Sequence, residues 1–153
     1  MLYTAFRVLP YSPAQVWRII GDIRHFVYKD PFHSDLVFTS DQREGQGVQF
    51  TLRHSYWPNF PFRPDTVECL ISVSRVEREQ VLVETNVQAY RSHTQRFLLE
   101  KVEGGTRLVY EIQYMGIPHW LLPWKMWVKW NVLRRMKEKL RDVEEVCGTL
   151  AGL

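Results

Sequence analysis

Residues 106–147, TRLVYEIQYMGIPHWLLPWKMWVKWNVLRRMKEKLRDVEEVC, change their hydrophobic period once, and this change decides the fold. At the start of the stretch, large apolar or aromatic residues occupy every second position, which is typical of a strand with one covered face: Leu108, Tyr110, Ile112 and Tyr114. From about Pro123 onward the apolar residues recur at intervals of three and four, which predicts one amphipathic helix: Met126, Trp130, Leu133, Met136, Leu140, Val143 and Cys147. Gly148 is expected to end this helix.

Toward the amino terminus, the period of two recurs in further stretches separated by turn signals. They are YTAFRVL, DLVFTS, GVQFTLRH, TVECLISVSRV, QVLVETNVQAY and HTQRFLLEKV. After the first strand, Ser12 is a natural helix N-cap and Pro13 suits the first helical position. Gly21 breaks this helix, and DIRHF (22–26) is expected to form a second short one. The order predicts an α+β protein in which seven antiparallel strands curve around the final helix.

Composition restricts the class of protein. The 153 residues are 45% hydrophobic and 24% charged, which predicts a globular domain spanning 1–153. A net charge of +3 is too small to indicate nucleic-acid binding by itself. Two cysteines without a CxxC pair favour a reducing compartment. Without a signal peptide or an apolar run long enough to span a bilayer, the sequence predicts a cytoplasmic protein.

Several of these segments resemble the START-like helix-grip (SRPBCC) superfamily, in particular its polyketide cyclase/dehydrase and lipid-transport branch. The resemblance covers nearly the whole chain and is carried by YSPAQVWRIIGDIRHF, DPF, GQGVQF, GGTRLVYEIQY and the closing helix. It implies a seven-stranded sheet gripping the terminal helix, with two short helices closing one end. Such proteins often keep a hydrophobic cavity between sheet and helix, and they include carriers, sensors and cyclases. The resemblance therefore implies a container and leaves its contents open.

Strand parity and the helical stripe give the candidate ligand-binding residues. They are Phe50, Leu52, His54, Leu108, Tyr110, Ile112, Tyr114, Met126, Lys129, Trp130 and Leu133. His54, Tyr110 and Lys129 are also the candidate acids or bases, although Lys129 is more simply interpreted as reaching solvent. In HTQRFLLEKV the parity is ambiguous because three apolar residues follow one another, and Arg96 is interpreted as part of a surface salt bridge.

Aromatic residues at the predicted mouth of the container form a second candidate site. They are Trp57, Phe60, Phe62, Trp120, Trp124 and Trp127, the first three in a proline-rich loop. Projected at 100° per residue, Trp120, Trp124 and Trp127 lie off the apolar stripe of the last helix. Seven basic residues against one acid surround them between Pro123 and Arg141. A packed rim, a membrane-docking patch and a dimer contact are all compatible with this composition.

Motifs for other chemistries are absent from the sequence. The five histidines are scattered without HExxH spacing, and GxSxG, P-loop and GxGxxG motifs do not occur. We therefore expect no metal, no cofactor and no nucleic-acid partner, in a monomer or a homodimer. The favoured function is non-enzymatic binding or transport of a lipid-like or polyketide-like molecule. The alternatives are a cyclase or dehydratase acting in the same cavity, and a membrane-surface or partner-binding module with a filled core.

Overall fold

The structure is a computed structural model that describes residues 1–22, 33–43, 45–55, 66–77, 80–87, 90–114 and 125–151. Within these ranges, seven strands and two helices follow one another along the chain. They are β1 Leu2–Leu9, α1 Pro13–Ile20, β2 His33–Phe38, β3 Gln49–Ser55, β4 Thr66–Glu77, β5 Gln80–Val87, β6 Tyr90–Val102, β7 Gly105–Tyr114 and α2 Lys125–Ala151. Side chains are described in five of the strands: β1, β2, β3, β6 and β7.

The strands form one antiparallel sheet in the order β1-β7-β6-β5-β4-β3-β2. From β2 to β7 each strand pairs with the next in sequence. The first strand, β1, lies at one edge of the sheet and pairs with β7, as in Thr4 opposite Glu111. The prediction of an α+β protein with an antiparallel sheet and a long C-terminal helix is confirmed.

Helix α1 begins where the sequence predicts it. The Ser12 side chain accepts a hydrogen bond from the Gln15 backbone N–H, and the Ser12 backbone N–H donates to Gln15 Oε1 at 2.9 Å. This reciprocal capping box satisfies N–H groups that the first turn would otherwise leave unpaired. Val16, Ile19 and Ile20 turn toward the core, and the helix stops before Gly21. The short helix predicted over DIRHF falls at 23–26 outside the described residues.

The core lies between the sheet and the part of α2 from Met136 onward. Among the described side chains, that part supplies the buried residues Met136, Leu140, Val143 and Cys147. They pack with Leu9 and Val16 among others, and the elements that α2 contacts most are β1, β7 and α1. Thr106, also buried, donates its hydroxyl hydrogen to the Tyr11 backbone oxygen at 2.7 Å, so its polar atom is paired.

Two predictions about the last helix are wrong. The helix continues through Gly148 to Ala151, and a Cβ at position 148 would lie 3.0 Å from the Tyr11 hydroxyl oxygen. The absence of a side chain there thus serves the packing of Tyr11. Met126 and Trp130, predicted to face the sheet, are 77% and 58% exposed.

The exposure is confined to the first turns of α2. From Met136 onward the described apolar side chains of its stripe join the core, whereas Met126 and Trp130 do not. Among the described residues, no helix is both long and apolar enough to cross a bilayer.

Candidate ligand-binding surface and the exposed end of the last helix

One face of β1, β6 and β7 carries aromatic and polar side chains that touch one another. Pleating sends alternate residues to the same face, and the register sets His93 opposite Tyr114 and Phe97 opposite Tyr110. We call this set the inner aromatic cluster: Tyr3, His93, Gln95, Phe97, Tyr110 and Tyr114. Ile112 lies between them, opposite Tyr3 on β1 and Gln95 on β6.

The aromatic rings of the cluster pack in defined geometries. Phe97 and Tyr110 stack with centroids 4.3 Å apart and planes at 7°. His93 and Tyr114 lie 5.1 Å apart at 34°, and Tyr3 meets Tyr114 edge to face at 6.0 Å. Flat apolar walls of this kind suit an aromatic or polycyclic molecule.

Hydrogen bonds connect the polar atoms of the same cluster. The Tyr110 hydroxyl donates to Gln95 Oε1 at 2.5 Å, and Gln95 Nε2 lies 3.0 Å from His93 Nε2. The Gln95 amide nitrogen can only donate, so in this arrangement His93 Nε2 is the acceptor. The chain Tyr110–Gln95–His93 joins three polar side chains within a mostly apolar face.

Burial keeps the tyrosine at the end of the cluster protonated to a higher pH than usual. It raises the pKa of Tyr114 to about 12, with a further contribution from the nearby Tyr3. The cause is desolvation, which disfavours the charged phenolate. At neutral pH Tyr114, like an ordinary tyrosine, presents an O–H group, which can donate a hydrogen bond to a carbonyl or hydroxyl oxygen.

The structure places most predicted wall residues in the interior. Phe50, Leu52, Leu108, Tyr110 and Ile112 are buried, whereas Tyr114 and Leu133 are partly buried. The side chain of His54 and residues Trp57, Phe60, Phe62, Trp120 and Trp124 lie outside the description. Whether any of them binds a ligand stays a prediction.

The interior positions predicted for Met126 and Trp130 are wrong, and Lys129 reaches solvent, as the simpler interpretation of it predicts. All three side chains are exposed on the first turns of α2. The apolar stripe is continuous in sequence, but its fully buried members among the described residues are Met136, Leu140, Val143 and Cys147. Helical spacing shows which residues share a face, and it does not show how far the neighbouring sheet extends.

Sequence reasoning missed the β6 half of the cluster, namely His93, Gln95 and Phe97. The interrupted parity of Phe97, Leu98 and Leu99 concealed their common face. Their common face follows from alternation with Leu99, because residues at even separations in a strand share a face. His93, Gln95 and Phe97 all have the odd parity of Leu99, which is buried. Arg96, of opposite parity, lies 3.7 Å from Glu111 in an ion pair, as interpreted from the sequence.

A groove of about 460 Å³ lies beside residues 130–141 of α2 and is also lined by Arg7 of β1. Its walls contain four cationic residues and one acid, together with two apolar side chains: Arg7, Arg134, Lys137, Arg141, Glu138, Trp130 and Leu133. The Arg134 guanidinium lies 5.7 Å from the centroid of the Trp130 ring. The groove joins positive charge to an aromatic surface.

Metal-ligating side chains are not clustered in the part of the chain that the structure describes. No three His, Cys, Asp or Glu residues there stand close enough to hold an ion. The described thiol, Cys147, is buried, and burial raises its pKa to about 11, with Glu144 adding to the shift. A buried thiol of this kind is a poor nucleophile and a poor ligand at neutral pH.

Comparison with known proteins identifies the fold. A protein of Thermus thermophilus, TTHA0849, superposes with a TM-score of 0.77 at 16% identity, covering 98% of this chain and 99% of its own. Ara h 8.0201 gives 0.70 at 13% identity, with 97% and 98% covered. Norcoclaurine synthase from Thalictrum flavum gives 0.64 at 9% identity, with 94% and 85% covered. The chain has the helix-grip fold that these structures share.

Sequence comparison adds no closer relationship. Neither the protein-family models nor the curated proteins give a match to this sequence. At identities of 9–16%, the structural similarity concerns the fold and leaves the function to be argued from the site.

Proposed function

We propose that this protein binds a small hydrophobic molecule between the inner face of the sheet and α2, as a carrier or sensor. It would be a single START-like domain over residues 1–153. The observation that carries the proposal is the inner aromatic cluster, which combines stacked rings with a few hydrogen-bonding groups. Ligand sites are commonly built in this way, from apolar walls that supply affinity and sparse polar groups that orient the ligand.

The described part of α2 buries its side chains from Met136 onward, whereas Met126 and Trp130 on its first turns are exposed. These two large side chains, predicted to face the sheet, therefore do not fill the space over it.

The experiment that tests this proposal introduces one bulky side chain on either face of β7. Ile112→Trp enlarges the inner face within the cluster, whereas Gln113→Trp puts the same indole on the outer, exposed face one residue later. Binding of cis-parinaric acid would be titrated by fluorescence, after native mass spectrometry of the purified protein for a co-purified ligand. We expect Ile112→Trp to weaken binding at least about tenfold through lost apolar contact, and Gln113→Trp to leave it unchanged.

Circular dichroism of both variants distinguishes loss of the site from loss of the fold. Equal affinities of the two folded variants, or the absence of any bound or acquired apolar molecule in the wild type, would contradict the proposal. The membrane-surface alternative, with a filled core, would then account better for the exposed tryptophans.

A second candidate function rests on the hydrogen-bonded chain Tyr110–Gln95–His93. It combines an imidazole with a phenol in a mostly apolar surface, and these groups can transfer protons in a cyclisation or dehydration. One structurally similar protein is named as a synthase. These residues replace Lys129, which is exposed, as the candidates for acid or base, with Tyr110 retained from the sequence prediction.

Product analysis separates the second candidate from the first. A ligand recovered from the protein would be incubated with wild type and with His93→Gln, and the mixture analysed by mass spectrometry over time. An enzyme should convert the ligand, and His93→Gln should bind it without converting it. An unchanged ligand in the wild-type reaction would leave the carrier function.

A further inference from the structure

The first three turns of α2 expose large apolar side chains together with positive charge. Met126, Trp127 and Trp130 are among the exposed large hydrophobic residues of the described chain. Single exposed apolar residues are ordinary on protein surfaces, whereas three within five positions form a patch. Lys125 and Lys129 stand exposed within the same turns.

The charge of α2 is divided between its two halves. Residues 125–137 contain five basic residues and no acid, whereas residues 138–151 contain four acids and two basic residues. The acids of the second half neutralise several arginines: Glu144 pairs with Arg7, Glu138 with Arg134 and Glu145 with Arg141. Lys125, Lys129 and Lys137 have no ion pair with any described residue. The amino-terminal half therefore keeps a strong positive potential.

This placement of charge is unfavourable for the helix itself. The helix dipole is positive at the amino terminus and favours acids there and basic residues at the other end. The first turn of α2 contains no acid and the last turn no basic residue. Helix stability thus does not explain the five basic residues. A surface that attracts anions explains these residues, because the positive end of the helix dipole adds to the field of the basic side chains.

We propose that the amino-terminal half of α2 is a docking surface for an anionic phospholipid bilayer. Met126, Trp127 and Trp130 enter the interface, where the indole ring suits the boundary between water and acyl chains. Lys125, Lys129 and Lys137 meet the lipid phosphates. Lys137, which has no ion pair with any described residue, also lines the groove beside Trp130 and extends the same positive surface.

The same observations disfavour two other occupants. A symmetric dimer through this surface would set five basic residues against five, without an acid in residues 125–137 of either copy. A nucleic acid would meet the charge, but the exposed methionine side chain contributes nothing to phosphate contacts, which come from cationic and hydrogen-bonding groups. A bilayer uses the apolar and the basic side chains together. This inference does not depend on the ligand-binding function proposed above.

The test is co-sedimentation of the full chain with vesicles. One set contains phosphatidylcholine alone and the other about 30% phosphatidylglycerol, because an anionic leaflet supplies the attraction. We expect binding to the anionic vesicles only, and its loss when sodium chloride rises from about 0.05 M to about 0.5 M, since salt screens exposed charges. Brominated acyl chains should quench part of the tryptophan fluorescence if the indoles enter the bilayer.

Matched variants assign the binding to this surface. Lys129→Gln/Lys137→Gln should weaken binding about 25-fold, at roughly fivefold for each charge near the membrane. Arg18→Gln/Lys101→Gln removes two exposed basic residues outside α2 and should leave the affinity within about twofold if only local charge matters. Met126→Gln/Trp130→Gln should reduce both binding and quenching at least about tenfold.

Three results would overturn the proposal. The first is equal vesicle binding by the two charge variants, which would reveal a non-specific effect of net charge. The second is the absence of sedimentation with anionic vesicles at low salt. The third is a salt-dependent association with duplex DNA or with a second copy, seen by ultracentrifugation and sensitive to Lys129→Gln/Lys137→Gln, without quenching by brominated lipid.

Discussion

At the scale of single residues, Gly104 and Gly105 stand side by side in the β6–β7 hairpin for different physical reasons. Gly104 has a φ of 81°, which side chains disfavour, although a Cβ there would meet no atom within 4 Å. Gly105 has no such dihedral requirement. A Cβ at Gly105 would lie 2.0 Å from the backbone oxygen of Leu9. The sequence predicts the turn, and only the structure shows that Gly105 admits the close approach of β1.

This difference predicts unequal costs for two alanine substitutions. Gly104→Ala should lower the free energy of unfolding by about 1–2 kcal/mol, the cost of a left-handed conformation. Gly105→Ala should cost about 3 kcal/mol or prevent folding, because the obstacle is backbone. Urea denaturation of both variants measures the difference. Similar losses would show that β1 can move away from the hairpin.

Tyr114 predicts a loss of stability at high pH. Its folded-state pKa of about 12 lies above the ordinary tyrosine value of 10.0, so the folded protein holds a proton that the unfolded chain releases. The contribution is therefore fully present below pH 10 and is lost as the pH rises toward 12. At most about 2 kcal/mol should disappear over this range.

Tyr114→Phe is the control for this effect, because it removes the ionisable group and keeps the ring. Cys147, whose pKa is also raised, remains in both proteins, so its contribution cancels in the comparison. The difference in urea midpoint between wild type and variant should change across pH 9–11.5. A constant difference would mean that the Tyr114 hydroxyl is solvated in the folded state.

At the scale of elements, local rules predict where α1 begins and fail to predict which part of α2 is buried. Ser12, Pro13 and Gln15 lie next to one another in sequence, so the capping box follows from short-range chemistry. The exposure of Trp130 depends on which other elements pack against α2, and those elements are distant in the chain. Spacing within a helix contains no information about its tertiary neighbours.

Lys125 connects the stability of α2 to its proposed docking role. Lys125→Glu should raise the free energy of unfolding by about 0.5 kcal/mol, because an acid at the helix start complements the dipole. The same change should weaken binding to anionic vesicles, since it reverses a charge at the membrane surface. Denaturation and co-sedimentation of one sample measure both effects. A loss of stability would indicate that Lys125 has a structural partner.

At the scale of the whole molecule, burial is concentrated toward one end of α2. Met136, Leu140 and Val143 join the core, whereas the first turns are exposed. Amide hydrogen exchange should therefore be slower by at least about tenfold in Met136–Cys147 than in Lys125–Trp130, because opening the latter exposes little apolar surface. Mass spectrometry of peptides from each half measures it. Equal protection would mean that α2 opens as one unit.

The global architecture was predictable because each level of the sequence agrees with it. Alternation in the strands, the turn residues and the long closing helix all indicate a sheet wrapped on a helix. The inner aromatic cluster was only half predictable. Tyr110 and Tyr114 follow from a clean alternation in β7, whereas His93 becomes their neighbour through the register of β6, which three successive apolar residues leave undetermined.

The pairing of β1 with β7 has a consequence for synthesis on the ribosome. Thr4 finds its partner only when Glu111 has emerged, and α2, which covers β1, follows later still. At about 5–20 residues per second, β1 waits roughly 5–20 s with its apolar side chains unprotected. The hairpins from β2 to β7 can form meanwhile from neighbouring segments. A nascent chain halted before β7 would therefore contain the paired strands β2–β6 and an unpaired β1. A holdase chaperone would bind at that stage, because the apolar side chains of β1 are still exposed.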